Sequence, residues 1–208
     1  MLPDAPKEIL EEVAREYEES LAIPAIKNNP QWMLMPVGLI GAGKTTVVKP
    51  LAERLGLIRM STDEVRQKLK ERGYSYEGCR DITHELSKKY LNLGYSLAID
   101  ANTGSKAGME YNEKSAEAFP NVRQIFIHVN PPEEFIINKL KNYKHTWLFN
   151  NDEHAIRLFH ENKRNFSRPD LPFVYEFDTS RDNLTTQIDE AVTAIQKVLD
   201  SDTLHIKE

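Results

Sequence analysis

The residues with the clearest chemical potential lie in one glycine-rich segment early in the chain. The run Gly38-Leu39-Ile40-Gly41-Ala42-Gly43-Lys44-Thr45 fits the pattern G-x-x-x-x-G-K-[ST] at every fixed position. In such a loop the backbone N–H groups converge on one anion, the lysine reaches the terminal phosphates, and the hydroxyl ligates Mg²⁺. We therefore predict that ATP and Mg²⁺ bind here. The residues predicted to contact the nucleotide are Gly38, Gly41, Ala42, Gly43, Lys44, Thr45 and Thr46, with Thr45 as a metal ligand.

The sequence on either side of this loop favours the phosphate-binding interpretation over a coincidental glycine-rich turn. Residues 32–37 form a short apolar segment of strand character, and a helical pattern follows the loop as far as Leu55. A strand, a glycine loop and a helix in this order is the context that the motif requires. The positive end of the helix dipole would then face the bound phosphates. Pro50 lies past the first turn of that helix, where we expect a bend.

Two carboxylates follow the next two predicted strands, at residues 57–60 and 95–99. Parallel strands place their carboxyl ends at one edge of a sheet, so Asp63, Asp100 and Asn102 are predicted to lie beside the glycine loop. Residues 61–64 also fit a capping box, with the first residue as N-cap and Glu64 reaching back to it. The alternatives are that Asp63 only stabilises a helix start and that the other two residues only form turns.

Strands and helices alternate along most of the chain, which is typical of a parallel sheet covered on both sides. The further predicted strands are 124–129 and 173–177, and the further helices are 81–93, 106–118, 133–142 and 184–199. Residues 4–21 form an amphipathic pattern followed by a proline-containing linker. We therefore predict an N-terminal helical extension over residues 1–30 and an α/β three-layer domain with a five-stranded parallel sheet over residues 31–208. The extension is predicted to pack on the domain, with a partner-binding helix as the alternative.

A cationic segment interrupts this alternation. Residues 139–168 contain seven lysines and arginines against three acidic residues, although the whole chain of 208 residues has a net charge of −5. Closing cations are a recurrent device in phosphoryl transfer, so we predict a mobile lid over about 144–168, with a solvated helical surface as the alternative. Arg164 and Arg157 are the candidates for stabilising charge on the transferring group.

Composition narrows the class of protein. The chain has one cysteine, no apolar stretch long enough to span a bilayer, and an acidic N-terminus unlike a signal peptide, which predicts a cytoplasmic protein without a membrane partner. The acidic balance does not indicate a broad nucleic-acid surface.

Three segments together resemble the P-loop kinases of the nucleoside-monophosphate-kinase class, and in particular the zeta-toxin, polynucleotide-kinase and gluconate-kinase-like families of AAA-domain kinase-like ATP-binding proteins. They are the glycine loop, Asp63-Glu64-Val65-Arg66, and Ile99-Asp100-Ala101-Asn102. The resemblance implies a P-loop NTPase fold with a helical lid. It also implies that Asp63 faces the acceptor hydroxyl, that Arg66 holds the acceptor, and that Asp100 organises Mg²⁺. Lys139 and Lys141 stand where that class commonly has arginines.

The predicted function is an ATP-dependent phosphotransferase acting on a hydroxyl acceptor, either a small molecule or a nucleic-acid end. Asn102 is a further candidate for acceptor binding. The alternatives are a P-loop nucleotide hydrolase or switch and a catalytically silent nucleotide-binding module. Alanine rather than glutamate follows Asp100, which argues against the hydrolase, and intact Lys44 and Thr45 argue against the silent module. The sequence indicates neither the acceptor nor an oligomeric state.

Overall fold

A computed structural model of the chain describes residues 2–142, 149, 151–166 and 170–203. The described part contains helices α1 (Lys7–Glu19), α2 (Lys44–Leu55), α3 (Thr62–Glu71), α4 (Cys79–Asn92), α5 (Lys106–Ala118), α6 (Glu133–Asn142), α7 (Asp152–Arg164) and α8 (Leu184–Thr203). Its strands are β1 (Trp32–Val37), β2 (Ile58–Ser61), β3 (Leu97–Asp100), β4 (Arg123–Val129) and β5 (Phe173–Phe177).

The five strands form one parallel sheet in the order β2-β3-β1-β4-β5. Strand β1 is central and pairs with β3 on one side and β4 on the other. The predicted α/β class and the five-stranded parallel sheet are therefore confirmed. Because all strands run the same way, the segments after β1, β2 and β3 emerge at one edge, which is the edge that must hold the site.

Alternating residues of β1 divide the core into two halves, one on each face of the sheet. Trp32 and Leu34 pack with the buried faces of α2, α6, α7 and α8, whereas Met33 and Met35 pack with α1, α3 and α4. All six β1 residues are buried, as expected for a strand covered on both faces. Full burial of one such apolar side chain contributes about 1.5–3 kcal/mol.

Among the described residues, no helix is both long and apolar enough to cross a membrane.

Helix α1 packs on the face formed by α3 and α4. Val13 and Tyr17 are fully buried there, and ion pairs join Glu16 to Arg72 and Glu18 to Lys89. The apolar stripe of the N-terminal extension is therefore covered by the domain itself.

One local expectation from the sequence changes in the structure. Ser61 is the N-cap residue of α3, but the predicted capping box does not form, because Ser61 N–H donates to the hydroxyl of Tyr17 at 2.6 Å. Helix α2 continues through Pro50, and the bend expected there stays a prediction. Phe149 and Phe159 belong to the core cluster that includes the buried face of α2.

Candidate active site

The glycine loop between β1 and α2 adopts a backbone that requires glycine at its end. Gly43 is the N-cap residue of α2 with φ of 93°, in the left-handed region that side chains rarely adopt. At the start of the loop, a Cβ on Gly38 would lie 2.5 Å from the Val129 carbonyl oxygen. No side chain caps the N-terminus of α2, so its first N–H groups and its dipole are presented to an anion.

Lys44 lies at the base of the cleft and folds over the loop. Its Nζ donates to the carbonyl oxygens of Gly38 and Leu39 at 3.0 and 2.9 Å. Burial lowers the pKa of Lys44 to about 8; the negative charges of Asp63 and Asp100 oppose this shift, while Lys139 adds to it. The attraction of the two carboxylates therefore does not offset the cost of burying the Lys44 ammonium group. A phosphate placed in the loop would stabilise the charged form of Lys44.

Thr45 and Asp100 meet at the edge of the sheet. Thr45 Oγ1 donates to Asp100 Oδ1 at 3.0 Å, and Arg59 Nη1 donates to Asp100 Oδ2 at 2.6 Å. Burial raises the pKa of the Asp100 carboxyl, and the Arg59 pair opposes that shift. A hydroxyl and a carboxylate beside a phosphate loop are the hard oxygen donors that Mg²⁺ takes from proteins, with substrate phosphates and water completing its octahedron. These residues fit the ion. The described residues contain no cluster of three or more His, Cys, Asp or Glu side chains arranged to hold a metal.

Helices α3, α4 and α5 contribute charged and aromatic groups to the same cleft. Asp63 lies in the first turn of α3 and pairs with Arg66 at 2.9 Å. Arg66 Nε is buried and forms no hydrogen bond to an oxygen or nitrogen atom, and the Cys79 thiol interacts with the same guanidinium. The rings of His84 and Tyr111 stack with centroids 4.3 Å apart, and burial lowers the pKa of His84.

One cavity of about 520 Å³ joins these groups to the loop. It is lined by Lys44, Thr45, Thr46, Asp63, Arg66, Arg80, His84, Asp100, Asn102, Tyr111, Lys139 and Asn162, among others. Asn102 Nδ2 is buried without a partner, although its Oδ1 accepts from the Gly104 amide at 3.2 Å. The structure therefore brings most of the predicted phosphate-binding, metal-binding and acceptor residues into a single space, whereas Gly38 and Ala42 do not line it.

The predicted lid is only partly described, and the two arginines predicted to act from it do not reach the cavity. Arg157 and Arg164 are exposed on α7 and do not line this cavity in the described structure. Asn162 of α7 does line it, and its Oδ1 accepts from the Ile40 amide at 3.2 Å. The cation that reaches the cavity from this side is Lys139 of α6, whose pKa is lowered by burial. Lys144 and Arg168 lie outside the described residues.

Several residues of the site are not predicted from the sequence. They include Arg59, Arg80, His84, Tyr111, Asn162 and Thr179, the last of which donates through its hydroxyl to the Ala42 carbonyl at 2.7 Å. Arg59 carried a usable signal, because a charged residue inside a short apolar strand requires a buried partner. Arg80 and His84 are spaced four residues apart and so share a helix face. Nothing in the sequence connects Asn162 or Thr179 with a loop more than 120 residues away.

The fold and the arrangement of the loop, lysine and strand-end carboxylate define a kinase-like P-loop domain. The family model described as AAA domain matches residues 33–162. The chain belongs to this family. Among curated protein sequences, none matches the chain significantly.

Solved structures share the fold at low sequence identity. A gluconokinase from Sinorhizobium meliloti is 14% identical with a TM-score of 0.58, covering 86% of this chain and 99% of that one. The APS kinase of Mycobacterium tuberculosis in complex with AMPPNP and APS is 15% identical with a TM-score of 0.56, covering 80% and 98%. A structure from the PezAT toxin–antitoxin system of Streptococcus pneumoniae is 14% identical with a TM-score of 0.57, covering 95% and 99%. At these identities the likeness establishes the fold.

Proposed function

We propose that this protein is an ATP-dependent phosphotransferase that transfers the γ-phosphoryl group of ATP to a hydroxyl of an acceptor. The observation that carries the proposal is the single cavity that joins the P-loop to Asp63 and to further cationic and aromatic groups beyond it. A nucleotide held by the loop would present its γ-phosphate toward that acceptor end. The fold is shared with a gluconokinase and with an APS kinase bound to an ATP analogue and APS. We place the activity in the cytoplasm, where ATP is available.

The roles of the residues follow from their positions. The P-loop amides and Lys44 bind the β- and γ-phosphates, and Thr46 extends this contact at the first turn of α2. Thr45 and Asp100 would hold Mg²⁺, which supplies charge neutralisation on the phosphates when bound. The acceptor oxygen forms a bond to the γ-phosphorus, and the bond between the γ-phosphorus and the β,γ-bridging oxygen breaks. Asp63 takes the hydroxyl proton. The products are a phosphate ester and ADP.

The charge at the acceptor end favours an acceptor that is itself anionic. Arg66 pairs with Asp63 and the neighbouring Glu64 pairs with Arg59. Arg80 also lines the cavity and forms no ion pair with any residue that the structure describes. The balance at that end is therefore positive by one charge. Asn102 Nδ2 adds a buried donor without a partner, which an acid oxygen would satisfy. We infer a hydroxyl compound that also carries a carboxylate or phosphate group; a nucleic-acid 5′ end also meets this condition.

The main alternative is a nucleotide hydrolase, for which water is the only acceptor. The cavity extends from the P-loop to two arginines and the stacked rings of His84 and Tyr111, a space that favours an acceptor larger than water. The residue after Asp100 is alanine, so the glutamate that commonly positions water in such enzymes is missing at that place.

The deciding experiment is an ATP-consumption screen with acceptors paired by charge. Neutral sugars and nucleosides are compared with sugar acids, UDP-sugars and 5′-hydroxyl oligonucleotides, with the Lys44→Ala variant as the background. We expect acceptor-dependent ADP formation only with anionic members of the pairs. ATP consumption at the same rate with and without every acceptor would identify a hydrolase instead. Transfer to neutral acceptors alone would contradict the charge argument and leave the kinase assignment standing.

A further inference from the structure

The N-terminal helix contacts the edge of the active site through one hydroxyl group. Tyr17 is fully buried, and its Oη accepts the backbone N–H of Ser61 at 2.6 Å. Burial raises the pKa of Tyr17 to about 12, and the charges of Glu64, Arg59 and Asp100 also act on it. The phenol therefore stays neutral at physiological pH and lies within electrostatic range of the carboxylate beside the P-loop.

This contact changes the partner of Glu64. Glu64 occupies the third position of α3, from which a glutamate normally accepts the N–H of the N-cap residue. Because Tyr17 already satisfies the Ser61 N–H, Glu64 is free to pair with Arg59 instead. Arg59 in turn pairs with Asp100, which accepts from Thr45 in the P-loop. A continuous series of contacts thus links α1 to the predicted metal site.

We propose that Tyr17 is a positioning residue for the Mg²⁺ edge of the active site, acting through Glu64 and Arg59. While Glu64 pairs with Arg59, the guanidinium charge is divided between the carboxylates of Glu64 and Asp100. If Glu64 instead turns back to cap α3, Arg59 pairs with Asp100 alone. The guanidinium then competes more strongly with Mg²⁺ for the Asp100 carboxylate. Ser61 is 3% exposed, so its N–H requires a protein acceptor whenever the Tyr17 hydroxyl is absent.

The test uses Tyr17→Phe, which removes only the hydroxyl, and Tyr90→Phe as its matched control. Tyr90 Oη donates to Glu18 of α1 at 3.0 Å, so the control removes another hydroxyl from the same helix interface without touching the series. Binding of a fluorescent ATP analogue is measured over a Mg²⁺ titration. This measurement rests on the proposed function. We expect Tyr17→Phe to raise the half-saturating Mg²⁺ concentration about three- to tenfold, the effect of redistributing one partly buried ion pair. Tyr90→Phe should match the wild type.

A double mutant separates the proposed route from general destabilisation. Glu64→Ala should raise the Mg²⁺ requirement by a similar factor, and Tyr17→Phe combined with Glu64→Ala should raise it no further. Additive effects, or equal effects of Tyr17→Phe and Tyr90→Phe, would overturn the proposal.

A second readout needs neither metal nor nucleotide. Hydrogen exchange at the Ser61 amide should stay slow in Tyr17→Phe, where Glu64 takes over as acceptor, and become fast in the double mutant. Fast exchange in Tyr17→Phe alone would show that Glu64 does not move and would overturn the proposal. Failure of the wild type to bind the analogue would count against the proposed function, while this exchange measurement would still decide the role of Tyr17.

Discussion

Thr45 of the P-loop donates a hydrogen bond to Asp100 at the end of β3, with Oγ1 and Oδ1 3.0 Å apart. The two residues are 55 positions apart in the chain and belong to segments that follow neighbouring parallel strands. This contact places the hydroxyl and carboxylate expected for Mg²⁺ directly beside the phosphate loop.

The first prediction concerns Lys44. Lys44→Ala should weaken ATP binding and lower phosphoryl transfer by at least about 10²-fold, the cost of removing one well-placed donor to developing charge. Lys49→Ala is the matched control, since Lys49 is exposed on the same helix. Calorimetric titration with ATP and a coupled ADP assay measure the two effects. Undiminished turnover in Lys44→Ala would remove the P-loop from the mechanism.

The second prediction is a pH dependence of nucleotide affinity. The pKa of Lys44 is lowered to about 8 without nucleotide, and bound phosphates would raise it. A group whose pKa rises on binding contributes fully below its unbound pKa, and this contribution is lost progressively as the pH rises from the unbound toward the bound value. ATP affinity should therefore be constant from pH 6.5 to 7.5 and fall above about pH 8.

Proton uptake provides a direct check of this linkage. Calorimetry in buffers of different ionisation enthalpy should show uptake close to zero at pH 6.5 and about half a proton at pH 8. A pH-independent affinity with no proton uptake would mean that Lys44 is fully charged in the free protein.

The third prediction concerns Asp63. Asp63→Asn should lower transfer to the acceptor about 10²–10⁴-fold, the contribution of a positioned base, with ATP affinity nearly unchanged. If Asp63 only stabilises the start of α3, its loss would instead cost about 0.3–1 kcal/mol of stability. Asp81→Asn is the control, because Asp81 is an exposed acidic residue in the first turn of α4. Equal kinetics of the two variants with slightly lowered melting temperatures would reduce Asp63 to a helix-stabilising residue.

The fourth prediction addresses the cation at the transferring phosphate. Lys139 lines the cavity, whereas Lys141 is exposed on the same helix. We therefore expect Lys139→Gln to lower transfer at least tenfold and Lys141→Gln to leave it within about twofold. Arg164→Gln and Arg157→Gln should resemble the control if α7 keeps the position described above.

The lid hypothesis is tested by the same variants together with hydrogen exchange. A loss of transfer in Arg164→Gln comparable to that in Lys139→Gln would mean that α7 moves to bring its arginines over the phosphates. In that case exchange across residues 152–164 should slow when a non-hydrolysable ATP analogue and the acceptor are both bound. Slow exchange that ignores both ligands would identify α7 as fixed structure.

The P-loop and the parallel sheet are determined by residues close together in the sequence, and both could therefore be predicted. The P-loop motif depends on glycines whose backbone geometry no other residue adopts easily, so its identity and position follow directly from residue types. The parallel sheet follows from apolar segments alternating with helical ones, and the common edge of the site follows from that direction alone. On this basis the sequence predicts that Asp63, Asp100 and Asn102 lie at the edge of the sheet beside the glycine loop.

The tertiary structure decided which partners these groups have. Glu64 fits a capping box by its spacing. The Ser61 N–H nevertheless donates to the hydroxyl of Tyr17, 44 residues before Ser61, instead of to the Glu64 carboxylate. Arg59 becomes part of the site only because β2 lies next to β3 and brings it to Asp100. Lys139 rather than an arginine of α7 reaches the cavity because α6 packs behind the P-loop, with Leu140 against Gly41. Local sequence specifies backbone conformation within a few residues, whereas hydrogen bonds and ion pairs between distant residues depend on how the elements pack, and packing is a property of the whole chain.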